Sequence, residues 1–147
     1  MNNNIRMLAK VGVVTAFASG LLPFLTNAKE RESQVGWAAP QLAAFGVPAS
    51  LQAPAVYLAK LVELLAILLV AGAPLAPSLG QGHSARDFEK LGSMLLAVYL
   101  TSITLVLHSS DTLAFLFTHG AMVASLLYIN CGDLAATARL GGSFLSV

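Results

Sequence analysis

Hydrophobic residues along this chain gather in four long runs, separated by stretches that are charged or rich in proline, glycine and serine. A bilayer core about 30 Å thick is crossed by about 20 mostly apolar helical residues, and each run is about that long. The pattern predicts helices over about 7–26 ("MLAKVGVVTAFASGLLPFLT"), 53–73, 88–108 ("FEKLGSMLLAVYLTSITLVLH") and 112–130. Pro23 is expected to kink or end the first, and "GAPLAP" to stop the second. Asp111 and Gly132 are expected to cap the two ends of the fourth. The predicted fold class is therefore all-α: a four-helix transmembrane bundle forming one membrane domain over 1–147.

The connections differ in character. "NAKERESQVGWAAPQLAAFGVPAS" changes midway from charged to amphipathic, and Trp37 and Phe45 suit a short interfacial segment lying along the membrane between helices one and two. "APSLGQGHSARDFEK" is a polar loop. "SSD" is a tight turn, which makes the last two helices antiparallel neighbours. Lys10 and Arg6 ahead of an apolar run, with a small residue at "TNA-K", also fit a secretory signal. A spanning helix is preferred, because the run is long enough to cross and the other helices need a partner.

Composition strengthens the membrane assignment. Of 147 residues 56% are hydrophobic and 10% charged, with a mean hydropathy of +0.76. A soluble domain carries about 25% charged residues. A formal charge of +1 and the lack of a basic cluster argue against a nucleic-acid partner. The lone Cys131 excludes an internal disulfide. Basic residues near the helix ends set orientation: Arg6, Lys10, Arg86, Lys90 and Arg139 gather on one side, Lys29 and Arg31 on the other. Both termini are thus expected on the cytosolic, matrix or stromal side.

The chemistry of interest lies in "YLAKLVELLAILLV", Tyr57 to Val70, where Lys60 and Glu63 sit mid-span. Each charge at a helix centre costs about 2.5–3.5 kcal/mol on insertion-based scales. Residues three apart share a helix face, so the two can pair, and lost hydration leaves transfer of the proton to a neutral pair open. Counting from helix ends at 1.5 Å per residue brings Tyr99, Ser102 and His119 to the level of Glu63, with Ser19 near it on the first helix. Lys60, Glu63, Tyr99, Ser102 and His119 are therefore expected to form one polar layer facing the bundle interior. Such a layer can be interhelical glue, a ligand, quinone or proton-handling site, or a contact for a partner subunit.

Other candidates carry less. By the same count His119 lies about 12 Å deeper than His108, too far for both to ligate one haem iron. His83 has no metal-spaced companion, so no metal site is expected. Gly12 and Gly92, with Ala16 and Ser93, suit close helix contact. No phosphate loop, nucleophile elbow or zinc motif occurs, and no catalytic residue is assigned.

The order of features resembles the DoxX-like family of small four-helix membrane proteins. The motifs are "GLLPFLTNAK" (Gly20 to Lys29), "FGVP" (Phe45 to Pro48), "KLVELLAILLVAG" (Lys60 to Gly72) and "FLFTHGAMVASLLYI" (Phe115 to Ile129). The last is also similar to the acetylcholine-receptor-chaperone branch, where a histidine takes a comparable place. The resemblance spans about Val11 to Ile129. It departs where "LLAILL" follows Glu63, a place at which family members usually have glycines. It implies either an accessory or assembly protein docked onto a larger membrane complex, or a subunit of a quinone-linked oxidoreductase. The first is favoured, as a non-enzymatic role without a cofactor, because almost no chain lies outside the membrane segments. A small-solute transporter lacks the repeats and broken helices of carriers.

Overall fold

The computed structural model describes residues 3–72, 85–108 and 113–131, and within them the chain is all-helical. Five α-helices follow one another: α1 (Asn3–Thr26), α2 (Ala28–Gln41), α3 (Ala49–Gly72), α4 (Ala85–Leu107) and α5 (Leu113–Cys131), with a 3-10 turn at Leu42–Phe45 before α3. Three helices are long and apolar enough to cross a membrane: Met7–Thr26, Ala49–Ala71 and Asp87–Leu107. In α5 the apolar stretch is shorter, Leu116–Leu127. Asp111, Gly132, His83 and "APLAP" lie outside the described residues.

Two local differences from the sequence pattern have simple causes. Pro23 does not end α1, which runs on to Thr26, since a proline near a helix C-terminus forfeits one bond but leaves the following turn intact. The charged connection is itself a helix, α2. Asn27 stops α1 and starts α2: its Oδ1 accepts from the N–H of Lys29 at 3.0 Å and of Glu30 at 3.4 Å, satisfying two N-terminal amides that have no partner within the helix. At the far end Gly46 adopts φ 76°, the left-handed conformation that glycine takes without steric cost. That lets the chain leave the 3-10 turn through "FGVP" and enter α3, and the Gln52 amide donates to the Val47 carbonyl at 3.0 Å across this corner.

The helices form a closed circuit. α1 packs on α3 and α5, α4 packs on the same two, and α2 lies mainly on α3. α3 and α4 run antiparallel, because Glu63 meets Tyr99 while Ala66 and Val70 meet Gly92. Side chains bridge α1 to α4 across the circuit: the Phe17 and Tyr99 rings lie 6.3 Å apart, and Lys10 Nζ reaches Glu89 Oε2 at 3.4 Å.

The outer faces of α3 and α4 are apolar. Leu58, Leu61, Leu65 and Leu68 face outward along α3, as do Leu91, Met94, Val98 and Leu105 along α4. The buried polar residues among those described are Glu63, Glu89 and Ser93, packed with a core that includes Val13, Phe17, Leu21, Ala66, Val70, Leu96, Leu126 and Ile129. Apolar outer faces on α3 and α4, with Glu63 and Glu89 turned inward into a largely apolar core, suit a hydrocarbon solvent, where outward leucines cost nothing and outward charges are expensive.

Gly92 sets the α3–α4 distance. A Cβ there would lie 2.8 Å from the Ala66 carbonyl oxygen and 2.8 Å from Val70 Cγ2, so the helices touch backbone to backbone, as small residues allow. Gly12, also expected to permit close contact, has nothing within 4 Å. Gly92→Ala should therefore lower the thermal midpoint in detergent, followed by circular dichroism, by an overpacking cost of about 1–3 kcal/mol. Gly12→Ala should leave the midpoint unchanged or slightly raised.

Candidate functional site

The pair in "AKLVE" forms as its spacing requires. Lys60 Nζ donates to Glu63 Oε2 at 2.9 Å, one turn along α3. The same oxygen accepts the Tyr99 hydroxyl from α4 at 2.5 Å. Glu63 is 3% exposed, and two donors on one oxygen replace the hydration lost on burial. Lys60 also stands over the Phe24 ring of α1, with Nζ 5.7 Å from its centroid. That face carries negative π density and suits a desolvated cation. Three helices thus converge on one ion pair.

Of the five residues expected in one layer, the structure joins Lys60, Glu63 and Tyr99 by hydrogen bonds and sets Ser102 beside Lys60 and Tyr99 on one cavity wall. Ser102 is exposed and makes no hydrogen bond within the described residues, whereas Thr101 and Thr104 beside it bond back to the carbonyls of Ala97 and Leu100. Ser19 likewise turns to its own helix, donating to the Ala16 carbonyl at 2.7 Å. His119 belongs to a separate group, with Nδ1 2.8 Å from Thr104 Oγ1. Thr104 Oγ1 also lies 2.7 Å from the Leu100 carbonyl oxygen.

The expected 12 Å separation of the two histidines is overturned. Their ring centroids lie 5.5 Å apart, edge to face. Axial counting misplaced them because side chains on a helix tilt toward its N-terminus. His108, at the end of α4, points back into the bundle, and His119, in the antiparallel α5, points out toward it. The distance objection to a shared ligand therefore does not hold, although among the described residues no cluster of three or more metal-ligating side chains occurs. His108 also packs against Trp37 of α2, centroids 5.2 Å apart.

Lys60, Tyr99, Ser102, Trp37 and His108 border a cavity of about 360 Å³ between α2, α3 and α4, within the range of small-molecule sites. Lys60, Tyr99 and Ser102 line it toward the middle of α3 and α4, Gln34, Trp37 and His108 line it from α2 and the end of α4, and Ala59, Ile103 and Val106 complete the wall. Two features escaped the sequence: this cavity, which needs α2 to be a helix laid over the gap, and the Lys10–Glu89 ion pair. Signals for both existed. "NAKE" from Asn27 carries a cap residue with glutamate three positions on, and Lys10 interrupts an apolar run as Lys60 does.

No family model, no curated protein and no solved structure matches the chain, so the DoxX-like resemblance rests on the quoted motifs alone.

The site makes a quantitative prediction. Lys60→Met strands a buried carboxylate and should cost about 3–5 kcal/mol, whereas Lys60→Met with Glu63→Leu should recover most of it. Tyr99→Phe removes one donor from Glu63 and should cost about 1–3 kcal/mol. Unfolding of the four proteins in one detergent, with SDS as denaturant, checks the order.

Proposed function

We propose that this chain is a non-enzymatic integral membrane protein of four crossings, with α5 as the fourth, serving as an accessory or assembly (chaperone-like) subunit of a larger membrane complex. The observation that carries this is where the polar chemistry goes. Glu63 is held by Lys60 and Tyr99, and Glu89 by Lys10, so the intramembrane charges serve helix–helix assembly. What the bundle offers outward is apolar, including the leucine rows of α3 and α4, which suit lipid or the flank of another membrane protein. The distribution of basic residues supports both termini on the cytosolic, matrix or stromal side. The DoxX-like motifs support the same architecture.

The cavity favours a second reading, a membrane subunit of a quinone-linked oxidoreductase in which Lys60 and Glu63 hold a headgroup or its protons. The two separate by experiment. A docked accessory subunit comigrates with a larger complex on native gels in mild detergent, and Glu63→Gln lowers its abundance. A redox subunit with Glu63→Gln keeps its abundance and loses quinone reduction. Migration only as a free monomer or homodimer overturns the accessory role.

A further inference from the structure

The cavity between α2, α3 and α4 carries polar groups with capacity to spare. Glu63 takes one of the three Lys60 donors, and its carboxylate is sealed behind the lysine: the Glu63 side chain is 4% exposed and that of Lys60 18%. The cavity therefore meets the ammonium while its counter-charge stays hidden. Ser102 lines the same end, and its hydroxyl has no hydrogen bond within the described residues, although flanking threonines satisfy theirs on their own helix. A spanning helix has no need of an unbonded hydroxyl beside an apolar wall, because bonding back to the preceding turn is always open to it. Above these groups the wall is Val56, Ala59, Ile103 and Val106, over about 14 Å along α4 from Tyr99 to His108.

We propose that this cavity is a binding site for an uncharged, membrane-soluble molecule with a carbonyl oxygen, the oxygen accepting from Lys60 Nζ and Ser102 Oγ and the apolar body lying beneath α2. An anion fits poorly, because the Lys60–Glu63 pair is already neutral and an added charge at this depth would have no counter-ion. A cation fits worse, facing the ammonium. A plain hydrocarbon would bury both donors unsatisfied. The site stands independently of either functional reading, since a carbonyl ligand here can stabilise an accessory protein as well as serve a redox one.

Trp37, the single tryptophan of the chain, lines the cavity, so its fluorescence reports occupancy. The probes are benzophenone and diphenylmethane, which share two rings and differ in the carbonyl. With the full chain at fixed detergent concentration, benzophenone should quench Trp37 saturably and bind about tenfold or more tighter than diphenylmethane. Ser102→Ala should narrow that ratio, and Ser102→Phe should remove the saturable component. Irradiation of the bound ketone, which inserts into adjacent C–H bonds, should label peptides bearing Trp37 or Ile103. Displacement by dioctanoylglycerol assigns the carbonyl to a lipid ester, and resistance to it assigns a ring ketone; the site stands in both cases. Equal affinity for the two probes, or labelling spread over the outer faces of α3 and α4, overturns the proposal.

Discussion

The structure depends on one oxygen atom. Oε2 of Glu63 receives the Lys60 ammonium from its own helix and the Tyr99 hydroxyl from the next. Take that oxygen away and Lys60 loses its carboxylate partner, while α4 loses the Tyr99 hydrogen bond to α3. A buried ion pair gains little over a well-packed apolar pair, because desolvation offsets most of the attraction. What it supplies is registry. Tyr99 can reach the carboxylate only if α3 and α4 are at one axial setting, and that setting also places Gly92 against Ala66 and Val70. Two independent contacts demand the same alignment, which is the consistency expected of a uniquely folded helix pair.

The second constraint is the solvent. With leucines outside and Glu63, Glu89 and Ser93 inside, burial of apolar surface does not drive these helices together, since lipid tails are as apolar as the leucines. Association rests on close packing and on polar contacts between helices. The aromatic residues serve both ends of that balance. Phe17 and Phe24 are buried in the interior against Tyr99 and Tyr57, while Trp37 on α2 and Phe45 in the turn after it remain half exposed.

Much of this is legible in the sequence because its rules are periodic. Apolar runs of spanning length locate α1, α3 and α4 within a few residues, and a three-residue spacing is enough to pair Lys60 with Glu63. Counting depth also brings Tyr99 to them correctly, since an antiparallel neighbour must pass its middle at the same level. The count fails where direction matters more than depth. Ser102 shares the level of Tyr99 and lines the cavity with Lys60, but it makes no hydrogen bond to the ion pair. His119 is placed by the tilt of its side chain and by Thr104, a partner that no spacing rule singles out. The Lys10–Glu89 pair joins helices that lie across the circuit from one another, so it has no sequence period to betray it.

The two ion pairs among the described residues differ in one respect that bears on how the protein comes to be made. Lys60 and Glu63 are neighbours on a single helix, so they can neutralise one another as that segment leaves the insertion machinery, before any companion has arrived. The cost of carrying two charges into hydrocarbon is thereby reduced at the moment of synthesis. Lys10 and Glu89 lie on different helices: the lysine is translated first, and this acid arrives only with α4. The first pair makes insertion of a lone segment tolerable, and the second makes completion of the assembly worth more than any of its parts.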